Sequence, residues 1–221
     1  MISSKKDNPA FTLVELLTAM TIFATFIAVI SSSYIFLMRS LRDAQITKNV
    51  TSEVMQVVQS ISDNIRVDAV DYDCYNGNSS SLCGYIEAES SNQGEGGILK
   101  SSYLVLKNYN GTGKIIYRIK DWHLQVLKQS LKDDLWVAGD GFENSLKEPF
   151  GFKDLMSSNV NISDGKFLIA PYQNPFNKSA ESDLRFQPQV TIKINFQTSS
   201  QVRKEIKVPI ETTISTRIYG K

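Results

Sequence analysis

Histidine is nearly missing from this chain, and cysteine is scarce: His123 stands alone, with Cys74 and Cys83 the two thiols among 221 residues. There is also no HExxH, CxxC, Walker loop or GxSxG, so the common metal, redox, nucleotide and acyl-transfer chemistries lack their residues. His123 sits beside Trp122 among apolar neighbours, a setting in which a lone imidazole is far more often packed or solvated than catalytic. An excess of charge is missing too. The 24 Lys and Arg face 23 Asp and Glu, a net charge of +1, which leaves no basic footprint for nucleic acid. Two further absences are local. No Pro or Gly occurs from Phe11 to Val67, and no charge of either sign from Leu16 to Met38.

The uncharged run is what the second absence leaves behind. About 20 apolar residues at about 1.5 Å each cross a ~30 Å hydrocarbon layer, so the run from Leu16 to Met38 reads as part of a transmembrane helix. A cleaved secretory signal peptide is the alternative, with Ser31, Ser32 and Ser33 imitating its cleavage site. Such a peptide has an apolar core of only about 7–15 residues, and the helical pattern here continues past Met38. Lys5 and Lys6 precede the run and are expected to stay cytoplasmic, giving an N-inside, single-pass topology, although Arg39 and Arg42 on the far side weaken that asymmetry.

One acid interrupts the start of the run. Glu15 is costly at membrane depth unless a partner neutralises it, and no Lys, Arg or His lies within the segment. A free α-amino group made by cleavage next to Phe11 has the required sign and size, and staggered neighbouring helices would bring the amine of one to Glu15 of another. The bland alternative is a glutamate solvated at the headgroup level.

Beyond the membrane the helix changes character. Val50, Val54, Val57, Ile61 and Ile65 recur at helical spacing, with Lys48, Glu53, Gln56, Asp63 and Arg66 off that stripe. One continuous helix of about 85 Å from Phe11 to Val67 is therefore expected, its second half packing an apolar face onto a domain. Asp71 to Gly97 reads as loop, with a mobile Gly94 to Gly97. Tyr103 to Lys107 and Lys114 to Ile119 flank Asn110-Gly111-Thr112-Gly113 as a hairpin. Asp121 to Gln129 fits helix or strand equally. Leu131 to Ser163 is expected to be an irregular insertion with one helical turn around Leu155, and Phe167 to Tyr172 a strand. Val190, Ile192, Ile194 and Phe196 alternate with polar residues, as do Ile206 through Ile218. Pro209 inside that last run signals an edge, a bulge or a break. The expected fold is α+β: a long N-terminal helix and, over about 150 residues of one domain, an antiparallel sheet of four to six strands packed on it.

The string Ala10-Phe11-Thr12-Leu13-Val14-Glu15-Leu16-Leu17, behind a short leader with Lys5 and Lys6, resembles the processing site of type IV pilins and the pseudopilins of type II secretion. The resemblance implies a pilin-like fold, cleavage between Ala10 and Phe11 by a prepilin peptidase, N-methylation of Phe11, and a subunit-register role for Glu15. Ala10 departs from the usual Gly at that position, but Ala is the nearest substitute in size and cleavage is expected to survive, at an unchanged or slower rate. The segments implied are a removed leader (1–10), a transmembrane and filament-core helix (11–38), an amphipathic half (39–68) and an extracytoplasmic β-sheet domain (69–221). The distal blocks Gln187-Pro188-Gln189-Val190-Thr191-Ile192 and Glu211-Thr212-Thr213-Ile214-Ser215-Thr216-Arg217 are similar to those of J-type minor pseudopilins and W-type minor pilins. They imply a minor subunit near a filament tip that aids assembly initiation. Implied partners are other pilin or pseudopilin subunits through the helix, the peptidase, an inner-membrane assembly platform, and the membrane before assembly. The expected location is the inner membrane and then an extracytoplasmic filament.

Export agrees with the cysteines. Cys74 and Cys83 flank an Asn/Gly/Ser-rich loop, and an even pair in an oxidising compartment is expected to form a disulfide worth roughly 2–3 kcal/mol through the unfolded chain. Two free thiols or a metal site are the alternatives, the latter disfavoured by the spacing. Asp71/Asp73 and Asp133/Asp134 suggest calcium as some pseudopilins bind it, but without the alternating oxygen ligands of a dedicated loop, so solvated surface is the favoured reading and no cofactor is expected. The chain reads as a structural protein rather than an enzyme. Its rivals are a pilus-associated binding module, as in an adhesin or DNA-uptake minor pilin, and a membrane-anchored extracellular enzyme.

Overall fold

A computed structural model describes residues 12–75, 92–94, 97–132, 135–138, 151–175, 187–200 and 205–216. One helix, α1, runs Leu13–Val67, as the absence of Pro and Gly dictates. The chain divides into two compact units, Met1–Lys48 and Asn49–Lys221. In the first, the large apolar residues from Leu13 to Leu41 are exposed, and the most apolar window has a mean hydropathy of 2.3 with none of it buried. That surface suits lipid or neighbouring helices.

Within the second unit the last turns of α1 bury the expected stripe. Val50, Val54, Val57, Ile61 and Ile65 are all buried, joined by Val58 and Ser62. Ser62 satisfies its hydroxyl by donating to the Val58 carbonyl at 2.7 Å. Two polar ties fix the helix to its own unit: Asn64 Nδ2 donates to the Tyr117 hydroxyl at 2.6 Å, and Glu53 accepts from the Ser157 amide and hydroxyl at 2.5 and 3.0 Å. Arg66 lies in the last turn, where its charge complements the helix dipole.

Eleven described strands follow: β1 (Ala69–Val70), β2 (Asn92–Gly94), β3 (Ile98–Ser101), β4 (Tyr103–Lys107), β5 (Gly113–Lys120), β6 (His123–Lys132), β7 (Leu135–Ala138), β8 (Lys153–Asp154), β9 (Val160–Ala170), β10 (Gln189–Thr198) and β11 (Lys207–Ser215). They form two antiparallel sheets. The first has the order β1-β4-β5-β6-β7 with β8 also on β6, and the second the order β11-β10-β9-β3-β2. The α+β class holds, but the single sheet expected from the sequence is two. Leu104, Leu106, Ile116, Leu124 and Leu127 of the first sheet are buried, as are Ile162, Phe167, Ile169, Ile192, Ile194 and Phe196 of the second.

Local chemistry explains the turns. The β4–β5 hairpin closes where Asn108 Oδ1 accepts the Thr112 and Gly113 amides at 2.9 and 3.1 Å, and Gly111 supplies a φ of +69°. The stretch that fitted helix or strand is β6, and it turns back from β5 through Asp121 and Trp122, both at positive φ (50° and 68°). Lys120 pairs with His123 across that two-residue loop. The helical turn expected around Leu155 is absent. Leu155 instead follows the short strand β8, its amide donating to the Leu124 carbonyl at 2.9 Å. The strand expected from Phe167 begins seven residues earlier, at Val160, and Gly94, expected to be mobile, closes β2.

Candidate functional site

The first turn of α1 is where the sequence motif and the geometry meet. Thr12 precedes the helix, and its hydroxyl accepts the Glu15 amide at 3.3 Å. In return Glu15 Oε2 accepts the Thr12 amide and the Thr12 hydroxyl, each at 3.0 Å. Reciprocal bonding between a threonine and a glutamate three residues on is a capping box, which satisfies donors that the helix start leaves open. Glu15 therefore has an internal partner, Thr12, that carries no positive charge. The signal was in the sequence as Thr-x-x-Glu. Both bonds from Thr12 fall on Oε2, and the negative charge lies at the helix end that favours it.

The rest of the apolar segment hides its polar atoms within itself. The hydroxyls of Thr18, Thr21, Thr25, Ser32 and Ser33 donate to backbone carbonyls three or four residues back, at 2.8–3.0 Å. These five hydroxyls are thus satisfied without water, as a membrane interior requires. Ala10 and Phe11, the expected cleavage and methylation residues, lie outside the described residues.

A second cluster surrounds Cys74. Asp71 Oδ2 lies 2.7 Å from Lys114 Nζ, and both side chains are buried, 4 % and 3 % exposed. Cys74 Sγ is 3.5 Å from each of these two groups. The turn that carries Cys74 is tied to β4: the Asp71 amide donates to the Val105 carbonyl at 3.0 Å, and the Tyr75 hydroxyl accepts the Val105 amide at 2.8 Å. Burial raises the Tyr75 hydroxyl above the usual phenol range. Cys74 and Tyr75 also pack on the apolar cluster of Tyr103, Val105, Ile116 and Leu127. Asp71, expected on solvated surface or as a calcium ligand, is instead half of a buried ion pair. Cys83, the expected disulfide partner, lies outside the described residues, as do Asp133 and Asp134.

His123 opens β6 with its Nδ1 4.0 Å from Asp154 Oδ2, and Asp154 Oδ1 accepts the Gln125 carboxamide at 2.8 Å. Gln125 in turn accepts Arg118 Nε at 2.6 Å, while the Arg118 guanidinium lies 3.8 Å from the centre of the Phe152 ring. Every member of this chain is occupied with another, which is structural work. No group of three or more His, Cys, Asp or Glu side chains able to hold a metal occurs among the described residues.

Comparison with known proteins matches the same end of the chain. No curated protein and no solved structure matches. A family model does: the prokaryotic N-terminal methylation motif, of type IV prepilin-like proteins, at residues 5–31. That span contains Lys5, Lys6, Ala10, Phe11 and the capped helix start at Thr12 and Glu15. The motif implies processing by a prepilin peptidase and assembly with other pilins, and with the exposed apolar helix it fits a membrane-anchored protein. The methylation motif at residues 5–31 supports a type IV pilin-like or pseudopilin protein.

Proposed function

We propose that the chain is a structural subunit and not an enzyme: a minor pilin or pseudopilin of a type IV pilus or type II secretion pseudopilus, placed near the filament tip and aiding assembly initiation. One observation carries this reading. The methylation motif coincides with a capped helix start whose following surface is apolar, exposed and free of charge from Leu16 to Met38. The large β-sheet region after the helix supports a minor rather than a major subunit.

In this reading the N-terminus faces the cytoplasm and the peptidase cuts between Ala10 and Phe11. Phe11 is then N-methylated, and the apolar helix leaves the bilayer for a bundle of like helices, which replaces lipid as its surroundings. Glu15 sets register by meeting the terminal amine of a neighbour. The capping box is compatible with that role, because both Thr12 bonds use Oε2 and a carboxylate accepts about four hydrogen bonds in all. Cys74 and Cys83 form a disulfide in the exported unit.

Mass spectrometry of the mature protein tests the first step. The expected chain begins with N-methylated Phe11 and is two hydrogens lighter than its reduced form. A different N-terminus overturns the processing proposal. Glu15→Ala is expected to leave membrane insertion intact while cutting filament entry at least tenfold, and unchanged assembly would sink the register role.

A further inference from the structure

The second sheet ends on β11, and the guarding of that edge changes halfway along the strand. The Thr198 amide donates to the Ile206 carbonyl and the Thr216 amide to the Pro188 carbonyl, both at 3.0 Å. With the unbroken register between β10 and β11, the even-numbered residues of β11 turn their backbone groups toward β10. The odd-numbered ones, Lys207, Pro209, Glu211, Thr213 and Ser215, turn theirs to an edge that no strand occupies among the described residues. Pro209 brings no N–H to that edge, and Lys207 and the Lys193–Glu211 pair at 2.9 Å surround it with charge. Proline and charge are how natural sheets keep foreign strands off. From Thr212 to Thr216 neither device is present.

Beside the unguarded half lies a groove of about 650 Å³. Thr212 to Thr216 and Gln187 form one wall, and Val58, Gln59, Ser62 and Arg66 of α1 form the other. Arg66 is the one charged side chain among these lining residues; its neighbour is Asp63 at 3.3 Å, an exposed pair on the same helix of the kind worth little. An open strand edge facing a helix across a groove offers backbone N–H and C=O groups in the spacing of a β-strand, with room for every second side chain.

We propose that this groove takes an extended peptide segment of a partner protein, which adds to the sheet through the backbone of Thr213 and Ser215 and places a carboxylate on Arg66. The alternating open backbone groups select an extended chain over a helix. The unbranched stem of Gln59 and the small Ser62 favour small or β-branched side chains on the groove side, and Arg66 favours an acidic residue or a C-terminal carboxylate. The proposal does not depend on the filament reading, since its surface lies wholly within Asn49–Lys221.

The test uses the full chain in detergent micelles and a synthetic octapeptide of alternating Thr and Val ending in a free carboxylate. Amide hydrogen exchange is expected to be fast at Thr213 and Ser215 without peptide and at least tenfold slower with it, while Thr212 and Ile214 stay protected throughout. Thr213→Pro removes an outward amide and none that faces β10, so the strand is expected to remain paired but to lose the peptide effect; Thr213→Ala is expected to keep it. Arg66→Glu is expected to weaken the acid-ended peptide at least tenfold and leave its C-terminal amide form unchanged. Protection at Thr213 already present in the dilute, peptide-free chain would mean that its own residues cover the edge. Protection that grows with protein concentration alone would assign the edge to a second copy. Either result, or peptide protection that survives Thr213→Pro, overturns the proposal.

Discussion

Two buried polar contacts decide how single substitutions act in the second unit. Asp71 and Lys114 meet at 2.7 Å with both side chains out of solvent, so removing one partner strands the other charge, at about 3–5 kcal/mol. Lys114→Met is expected to lower the unfolding free energy by that amount, and Asp71→Asn combined with Lys114→Met to recover part of it, as measured by urea titration followed by fluorescence. Tyr117 gives a pH dependence. Burial, with a smaller contribution from Asp68 and against the Asn64 hydrogen bond, pushes its hydroxyl from 10.0 up to about 12. An unfolded phenol ionises near 10.0 while the folded one keeps its proton, so the folded state binds more protons between those values. Stability therefore falls as pH rises from about 10 and the contribution is lost above about 12. Tyr117→Phe is expected to flatten the alkaline slope without abolishing it, because burial also raises Tyr72 and Tyr75. Unfolding midpoints across that range, with tyrosinate absorbance as a second signal, measure the difference.

Among the elements, the β5–β6 turn bears a visible strain. A two-residue hairpin with positive φ at both positions suits Asn-Gly, yet Asp121 and Trp122 occupy it, and the left-handed region costs a non-glycine residue about 1–2 kcal/mol. Trp122 is 62 % exposed, so little packing offsets that cost. Trp122→Gly is expected to stabilise the fold by about 0.5–1 kcal/mol after glycine's own entropy loss, read as a higher melting temperature. The same turn shows why β6 was ambiguous in sequence: Asp-Trp carries no turn signal, and without a visible turn the apolar spacing of Leu124, Val126 and Leu127 fits either period. Where punctuation was strong, as at Asn108 to Gly113 and at the Pro209 edge, the elements could be read directly. The second sheet was hidden for another reason. Partner choice between strands is non-local, and nothing in the alternation of β9 or β10 says that β3 leaves β4 to pair with β9. At the candidate site, the capping box is written as Thr12-x-x-Glu15, but the apolar run that follows makes the cost of the charge more conspicuous than the cap. The Asp71–Lys114 contact, 43 positions apart in sequence, left no local trace.

The whole molecule carries an apolar surface from Leu13 to Leu41 that either lipid or neighbouring helices must cover, and the proposed switch between those covers is one peptide bond. In the proposed orientation Lys5 and Lys6 hold the leader at the cytoplasmic face, and before the proposed cut no free amine exists at Phe11 for a neighbour's Glu15. Ala10 sits where the processing site it resembles usually has Gly, so under the proposed function the chain's entry into a filament is expected to be paced by this cut. Ala10→Gly is then expected to speed conversion from precursor to mature mass in a pulse-chase experiment several-fold. Ala10→Arg is expected to block it, leaving a membrane-integrated chain with its leader and no filament signal. If the blocked chain still enters filaments, the Phe11 amine is not the partner of Glu15, and the capping bonds with Thr12 become the whole of what that carboxylate does.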